Sequence, residues 1–284
     1  MTDALKKQIT AAIGQQPASL QELHGGNVAR VHLAEMESGP SLVVKTGGSG
    51  SDFAIEALML RYLANNTDLP VPAVHYADET LLIMDWVDSG DSIDDAAERD
   101  AARHLAALHK ITAMDFGFEC DTLIGPLLQP NPKTARWLDF FRDHRLLFMA
   151  QQALGENRLS TETMNRFDKL ADRLDQWIEE PATPALLHGD MWGGNVLIKD
   201  SRLTGFIDPA LYFGDAEMDL AFATLFGSFR EPFFEAYEEI TPLRDGFWEA
   251  RRDLYNLYPL LVHLRLFGGD YARSIDSILN RLGV

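Results

Sequence analysis

Apolar positions recur along the chain at two different spacings, and the change of spacing falls near residue 90. Residues 4–13 place Leu5, Ile9, Ala12 and Ile13 on one helical face, which Gly14 and Pro17 bring to an end. Over 23–33 the flanks alternate like strands around Gly25-Gly26, so a hairpin is expected to turn there. Residues 41–46 read as a strand; if Leu42 and Val44 take one side, Val43 and Lys45 take the other. Residues 52–64 carry Phe53, Ala57, Leu60, Leu63 and Ala64 as the stripe of a helix, with Glu56 beside it. A rigid connector, Leu69-Pro70-Val71-Pro72, leads into two more strands over 71–76 and 81–87. The sum is a small, mostly antiparallel sheet with one key helix on it.

From Asp94 onward the spacing is helical. Ala101, Leu105, Leu108 and Ile111 line one helix; 137–154 and 164–178 read as two more, and 231–284 is helical throughout. Residues 114–132 hold Gly117, Gly125, Pro126, Pro130 and Pro132 and read as a loop too long for a simple connector, hence a functional wall. Two short strands, 196–198 and 203–207, interrupt the helices around the polar turn Lys199-Asp200-Ser201-Arg202. The polar run Asp88-Ser89-Gly90-Asp91-Ser92 breaks the pattern, so a hinge is placed at 85–92. It separates an N-terminal lobe, 1–87, from a larger, mainly helical C-terminal lobe, 88–284. The fold class is α+β.

Composition narrows the function. The 284 residues are 46% hydrophobic, enough for a sizeable core. The single cysteine, Cys120, rules out an intramolecular disulfide and fits a reducing compartment. No apolar leader follows the N-terminus and no apolar run reaches the ~18 residues of a spanning helix, so a soluble cytoplasmic monomer without a membrane partner is expected. A net charge of −18 argues against nucleic acid. It suits a cationic substrate and equally suits plain solubility.

The chemistry gathers in His188-Gly189-Asp190-Met191-Trp192-Gly193-Gly194-Asn195. Two glycines between Asp190 and Asn195 make this a loop, and the hairpin after it returns Asp208 beside it. One carboxylate free to take a proton, with an amide and a second carboxylate placed to hold a metal, is what kinase-type phosphoryl transfer needs. Asp190 is then the base, Asn195 and Asp208 the ligands of Mg²⁺, and ATP the donor. Lys45 reaches the phosphates and Glu56 orients it; Gly25 and Gly26 let backbone N–H groups approach the phosphates; Asp85, Trp86 and Val87 are the candidates to meet an adenine edge. Alone, a Gly-Gly turn is a plain hairpin and a strand lysine is ordinarily solvated. Their order along the chain is what points to a two-lobed, protein-kinase-like fold. His188 buttresses the loop, His104 and His109 read as structural, and Asp219 either caps its helix or bonds the 188–195 backbone. Asp215 is either a turn residue or an acid facing the substrate.

Gly189 stands where a protein kinase has arginine, and Ile207-Asp208-Pro209 where it has Asp-Phe-Gly. That variant resembles the small-molecule branch of the kinase-like superfamily, which includes aminoglycoside and choline kinases, and most of all the fructosamine (ketosamine) kinases. The likeness is carried by Leu187-His188-Gly189-Asp190-Met191-Trp192-Gly193-Gly194-Asn195 and by Phe206-Ile207-Asp208-Pro209 through Gly214-Asp215-Ala216-Glu217-Met218-Asp219-Leu220-Ala221. Gly25-Gly26 extends it, as do Ile124-Gly125 through Gln129, Asn131, Trp137, Phe141 and Arg145. So does Asn256-Leu257-Tyr258-Pro259-Leu260-Leu261 through His263, Leu266-Phe267-Gly268 and Tyr271.

The resemblance implies ATP-dependent phosphorylation of a sugar hydroxyl, O3, on a ketosamine, either a small glycated amine or a glycated protein lysine. Such phosphorylation makes the adduct labile, which is deglycation repair. A ketosamine carries a protonatable amine, so Asp215 and Glu217 are candidate acidic contacts. Trp192 either lies against the sugar's apolar face or simply packs. The competing readings are the same chemistry on an aminoglycoside, choline or homoserine, and a nucleotide-binding protein without turnover.

Overall fold

The computed structural model describes residues 2–23, 29–47 and 52–284. Its chain divides into two compact units, one formed by 1–92 with 196–209, the other by 93–195 with 210–284.

The first unit opens with α1 (Thr2–Ile13), followed by β1 (Pro17–Leu23), β2 (Arg30–Met36), β3 (Leu42–Thr46), α2 (Phe53–Asn66), β4 (Val74–Ala77) and β5 (Leu81–Asp85). The strands form one antiparallel sheet in the order β1-β2-β3-β5-β4. Alternation along β3 and β5 decides what each face buries. Leu42, Val44, Leu81 and Ile83 pack with Ile9 and Ala34, whereas Val43, Leu82 and Met84 pack with Phe53, Ala57 and Leu60 of α2. A fully buried side chain of this size contributes about 1.5–3 kcal/mol. Lys45 follows Val44 and so emerges on the α2 face, which is why a strand lysine meets a helix glutamate here. The Gly25-Gly26 turn lies outside the described residues.

The second unit begins with α3 (Asp95–Leu108), whose start is capped by the Asp94 side chain accepting from the Ala97 N–H at 2.9 Å. The 114–132 stretch, expected to be a loop, contains a hairpin of β6 (Thr122–Ile124) and β7 (Leu127–Gln129) closed by Gly125-Pro126. Three-residue strands are too short to show a period. Then come α4 (Trp137–Phe141), a π-helical turn (Arg142–Leu146), α5 (Leu147–Gly155), α6 (Thr161–Ala171) and β8 (Ala185–Leu187).

At Val196 the chain re-enters the first unit as β9 (Val196–Lys199) and β10 (Arg202–Phe206). Backbone bonds tie this hairpin to that unit: the Gly90 N–H donates to the Ile198 carbonyl at 3.1 Å and the Phe206 N–H to the Pro70 carbonyl at 2.7 Å. A division at 85–92 alone leaves Asp208 with the helices; the fold puts it with the sheet. The second unit resumes with β11 (Tyr212–Gly214), α7 (Glu217–Ala223), α8 (Glu231–Glu238), α9 (Arg252–Phe267) and α10 (Tyr271–Arg281). β11 pairs antiparallel with β8, three buried residues against three. This pair frames the segment that begins at His188.

Candidate active site

In the sheet unit, the Lys45 ammonium is shared by two carboxylates. It donates to Glu56 Oε1 at 2.7 Å and to Asp208 Oδ1. Lys45 is buried. Burial opposes its charge, yet Asp208 and Glu56 outweigh that cost and raise its pKa. For Glu56, burial dominates and raises the carboxyl in spite of Lys45. Asp208 sits at φ 52°, a left-handed conformation unusual for a residue other than glycine, and its side chain is 45% exposed. A lysine held between two acids is aimed and charged, and it can meet an anionic ligand as a fixed cation.

In the helical unit, His188 to Asn195 is held from behind. Asp219, fully buried on α7, accepts from the His188 N–H at 2.7 Å and the Gly189 N–H at 2.9 Å. Of the two roles the sequence left open for Asp219, the bond to this backbone is the one formed. His109 is hydrogen-bonded through Nε2 to the same carboxylate at 3.2 Å and through Nδ1 to the Tyr237 hydroxyl at 2.7 Å. The Ala210 N–H donates to the His188 carbonyl at 2.8 Å, continuing the β8–β11 pairing. At Gly189 φ is +81°, and a Cβ there would lie 1.9 Å from the Ala210 carbonyl oxygen. No side chain fits, which accounts for glycine where protein kinases carry arginine.

Beyond Gly189 the segment turns tightly. Asn195 directs its amide N–H groups to the Asp190 carbonyl and to Asp190 Oδ2, both at 2.8 Å. Asp190 is half-buried, and Asn195 is buried. A carboxylate oriented by an amide five residues on is well placed to take a proton from a hydroxyl. The Trp192 indole lies over Gly194, where a Cβ would come within 2.2 Å of the ring.

The remaining candidates fall in three places. Asp85 accepts from His75 at 2.6 Å; the Asp85 and Trp86 N–H groups are engaged by the Ala73 and Ser41 carbonyls at 2.9 and 3.3 Å. Asp215 and Glu217 do not present open carboxylates. Both are buried, in a cluster with two arginines. Arg251 donates to Glu217 at 2.6 Å, Arg244 donates to both acids, and the Tyr255 hydroxyl donates to Asp215 at 2.6 Å. Burial raises the Asp215 carboxyl; for Glu217 burial is overcome by Arg251 and Arg244, and its pKa is lowered. The partners Arg244 and Arg251 lie far along the sequence, where no local signal marks them. Among the described residues no group of three or more His, Cys, Asp or Glu forms a metal-binding cluster. No described helix is long and apolar enough to cross a membrane.

Comparison with known proteins reaches the whole chain. A family model described as "Fructosamine kinase" matches residues 1–283. A Synechocystis protein named Probable ketoamine kinase is 33% identical over 98% of this chain and 95% of its own. The chloroplastic protein-ribulosamine 3-kinase of Arabidopsis thaliana is 32% identical over 96% of this chain and 85% of its own. The crystal structure of a candidate fructosamine-3-kinase from Thermobifida fusca superposes with a TM-score of 0.88 at 33% identity, covering 99% of each chain. A mutant of the aminoglycoside phosphotransferase APH(4)-Ia, in complex with ADP and hygromycin B, shares the fold alone, with a TM-score of 0.69 at 18% identity and 99% coverage of each.

Proposed function

The chain belongs to the fructosamine kinase family, and from that membership we propose how its residues carry out the reaction. It is a phosphotransferase acting on a hydroxyl of ketosamines. Within that activity, the donor is ATP and the acceptor oxygen is O3, the position that the name of the ribulosamine 3-kinase relative supports. Phosphorylation there makes the adduct labile, so the role is deglycation repair in the cytoplasm.

The observation that carries the reading is the Lys45 ammonium fixed by Glu56 and Asp208. Transfer of a phosphoryl group needs positioning and charge neutralisation more than covalent help. Lys45 supplies a cation to the non-transferred phosphates. Asp190 takes the proton of the attacking hydroxyl, and Asn195 orients that carboxylate by donating to Oδ2. Asp85 and Trp86 already use their N–H groups, which narrows the backbone donor for an adenine edge to Val87. Gly25 and Gly26 are proposed to offer backbone N–H groups to the phosphates.

Each unit offers one oxygen donor of a kind that suits Mg²⁺. Asn195 has its amide hydrogens on Asp190, which leaves its oxygen as a ligand atom, and Asp208 is substantially exposed. One amide and one carboxylate are a sparse set, but Mg²⁺ keeps waters and takes substrate phosphates to fill its sphere. When bound, the ion neutralises phosphate charge. Asp215 and Glu217, matched by arginines, hold the frame behind β11 and α7 rather than the substrate amine.

A panel of acceptors decides the matter. ATP consumption is measured on a ketosamine, an aminoglycoside, choline and homoserine, and the position of the product phosphate is read by NMR. Phosphate on O3 of the ketosamine is expected. Turnover confined to one of the other alcohols refutes the assignment.

A further inference from the structure

We propose that Phe226, with Trp192 and His263, forms the wall that selects the amine arm of the acceptor, favouring ketosamines whose protonated nitrogen carries an aromatic or apolar substituent. The inference rests on the ketosamine reading above. It begins with a residue in the wrong conformation for its chemistry. Phe226 has φ 63°, a region that favours glycine, and Gly227 beside it has φ 64°. Its side chain is nonetheless a phenyl, 47% exposed. A left-handed backbone costs about 1–3 kcal/mol at such a residue, and exposing an aromatic surface to water adds to that cost. Packing alone does not call for this combination.

The surroundings hold Phe226 where it is. Glu98, fully buried on α3, accepts from the Arg230 N–H at 3.0 Å and from Arg230 Nε at 2.9 Å, pinning the segment after it. Ahead of it, the Thr224 hydroxyl donates to the Ala221 carbonyl at 2.6 Å and accepts from Asn256 Nδ2 at 3.0 Å. Ser228 abuts Gly193, where a Cβ would come within 2.8 Å of the serine Cβ. The 224–230 segment is therefore anchored at both ends and packed on the segment that carries Asp190.

The phenyl meets the Trp192 indole edge-on, centroids 5.8 Å apart, and the His263 ring at 4.9 Å. His263 in turn contacts Phe267 at 5.6 Å and Tyr271 at 5.3 Å, and Phe267 is itself 44% exposed. This aromatic row begins two residues from the proposed base. Burial pushes the His263 pKa down, so at neutral pH the ring carries no charge to repel a cation. Aromatic faces attract ammonium groups and stack on rings. One further group points the same way. The Asn256 amide oxygen is buried without a hydrogen-bond partner, and Asn256 lies two helical turns before His263 on the same face of α9. The Thr224 hydroxyl proton is already used, which fixes the amide with its oxygen as the unpaired atom. A buried acceptor of this kind is made good by a ligand's ammonium or hydroxyl.

The test uses three ketosamines of one sugar, built on benzylamine, methylamine and glycine. KM and kcat are measured for each, with KM for ATP, on the wild type and on Phe226→Ala, Phe226→Leu and Asn256→Leu. The wild type is expected to show the lowest KM on the benzylamine adduct. Phe226→Ala raises that KM about 10-fold, the size of a lost aromatic and cation contact, and Phe226→Leu fails to restore it. Because the ammonium and sugar are common to all three, Asn256→Leu raises every ketosamine KM by about 3–10-fold, as the loss of a single hydrogen bond does. An equal change on all three adducts in Phe226→Ala, or full recovery by leucine, overturns the selective wall. An unchanged KM in Asn256→Leu removes that residue from the subsite. A wild type that turns over no ketosamine, yet phosphorylates another alcohol, fails at the proposed function instead, and the two failures are told apart by the wild-type data alone.

Discussion

Replacing Asp219 by asparagine tests whether the segment carrying Asp190 depends on a buried charge behind it. Asp219 accepts three hydrogen bonds, from the His188 N–H at 2.7 Å, the Gly189 N–H at 2.9 Å and His109 Nε2 at 3.2 Å. Two of them converge on Oδ2. The asparagine amide keeps most by placing its oxygen there, which turns its NH₂ against the Gly189 N–H. One buried backbone donor is then left facing another donor, at a cost of about 1–3 kcal/mol. The other two bonds lose their charged acceptor, about 1 kcal/mol each. The expected loss is therefore about 3–5 kcal/mol, which for a chain of this size lowers the thermal midpoint by roughly 6–20 °C. Because Gly189 adjoins Asp190, kcat should fall by about 10-fold or more even at temperatures where the variant is folded. Differential scanning calorimetry and ketosamine kinetics below the lowered midpoint measure both. A midpoint within 2 °C of wild type, with kcat retained, would show that the segment holds its geometry without the carboxylate, and the reasoning would fail.

Asp190→Asn should cut turnover by about 10²–10⁴, the usual contribution of a positioned base, while nucleotide affinity is kept; near-normal turnover removes Asp190 from the role. Asp208→Ala should abolish Mg²⁺-dependent nucleotide binding, and unchanged heats in titration calorimetry would sink that assignment. Arg251 and Arg244 hold Glu217 below its ordinary pKa, so its contribution to stability is present above the unfolded carboxyl value near 4.5 and is lost as the pH falls through the folded value. Urea unfolding should therefore show Glu217→Gln less stable than wild type at pH 7, with the gap closing below about pH 4.5; a gap that widens on acidification contradicts the lowered value.

The contacts of the candidate site that were readable in advance are those whose signal is local. Lys45 follows from strand alternation and Glu56 from helical spacing. Asp190 and Asn195 follow from the glycines between them. What escaped depends on distant pairing. The strands β8 and β11 are three buried residues each, without the alternation that marks a half-solvated strand. Asp215 and Glu217 look like open acids until Arg244 and Arg251 arrive from far along the chain to neutralise them. Phe226 gave no warning at all, because nothing in Leu225-Phe226-Gly227 says that the left-handed turn begins one residue before the glycine.

The return of residues 196–209 to the sheet has a consequence for synthesis on the ribosome. The sheet's own strands are finished by residue 85, but the hairpin bonded to Gly90 and Pro70 is made roughly 100 residues later, a delay of about 5–20 s at ordinary elongation rates. Throughout that interval the nascent sheet lacks the partner of Lys45 at Asp208, and a buried lysine has only Glu56 to offset its charge. The first unit to emerge is therefore completed only after residues 93–195 of the second have been made. A fragment ending near residue 92 should be a poorer folder than its five strands suggest.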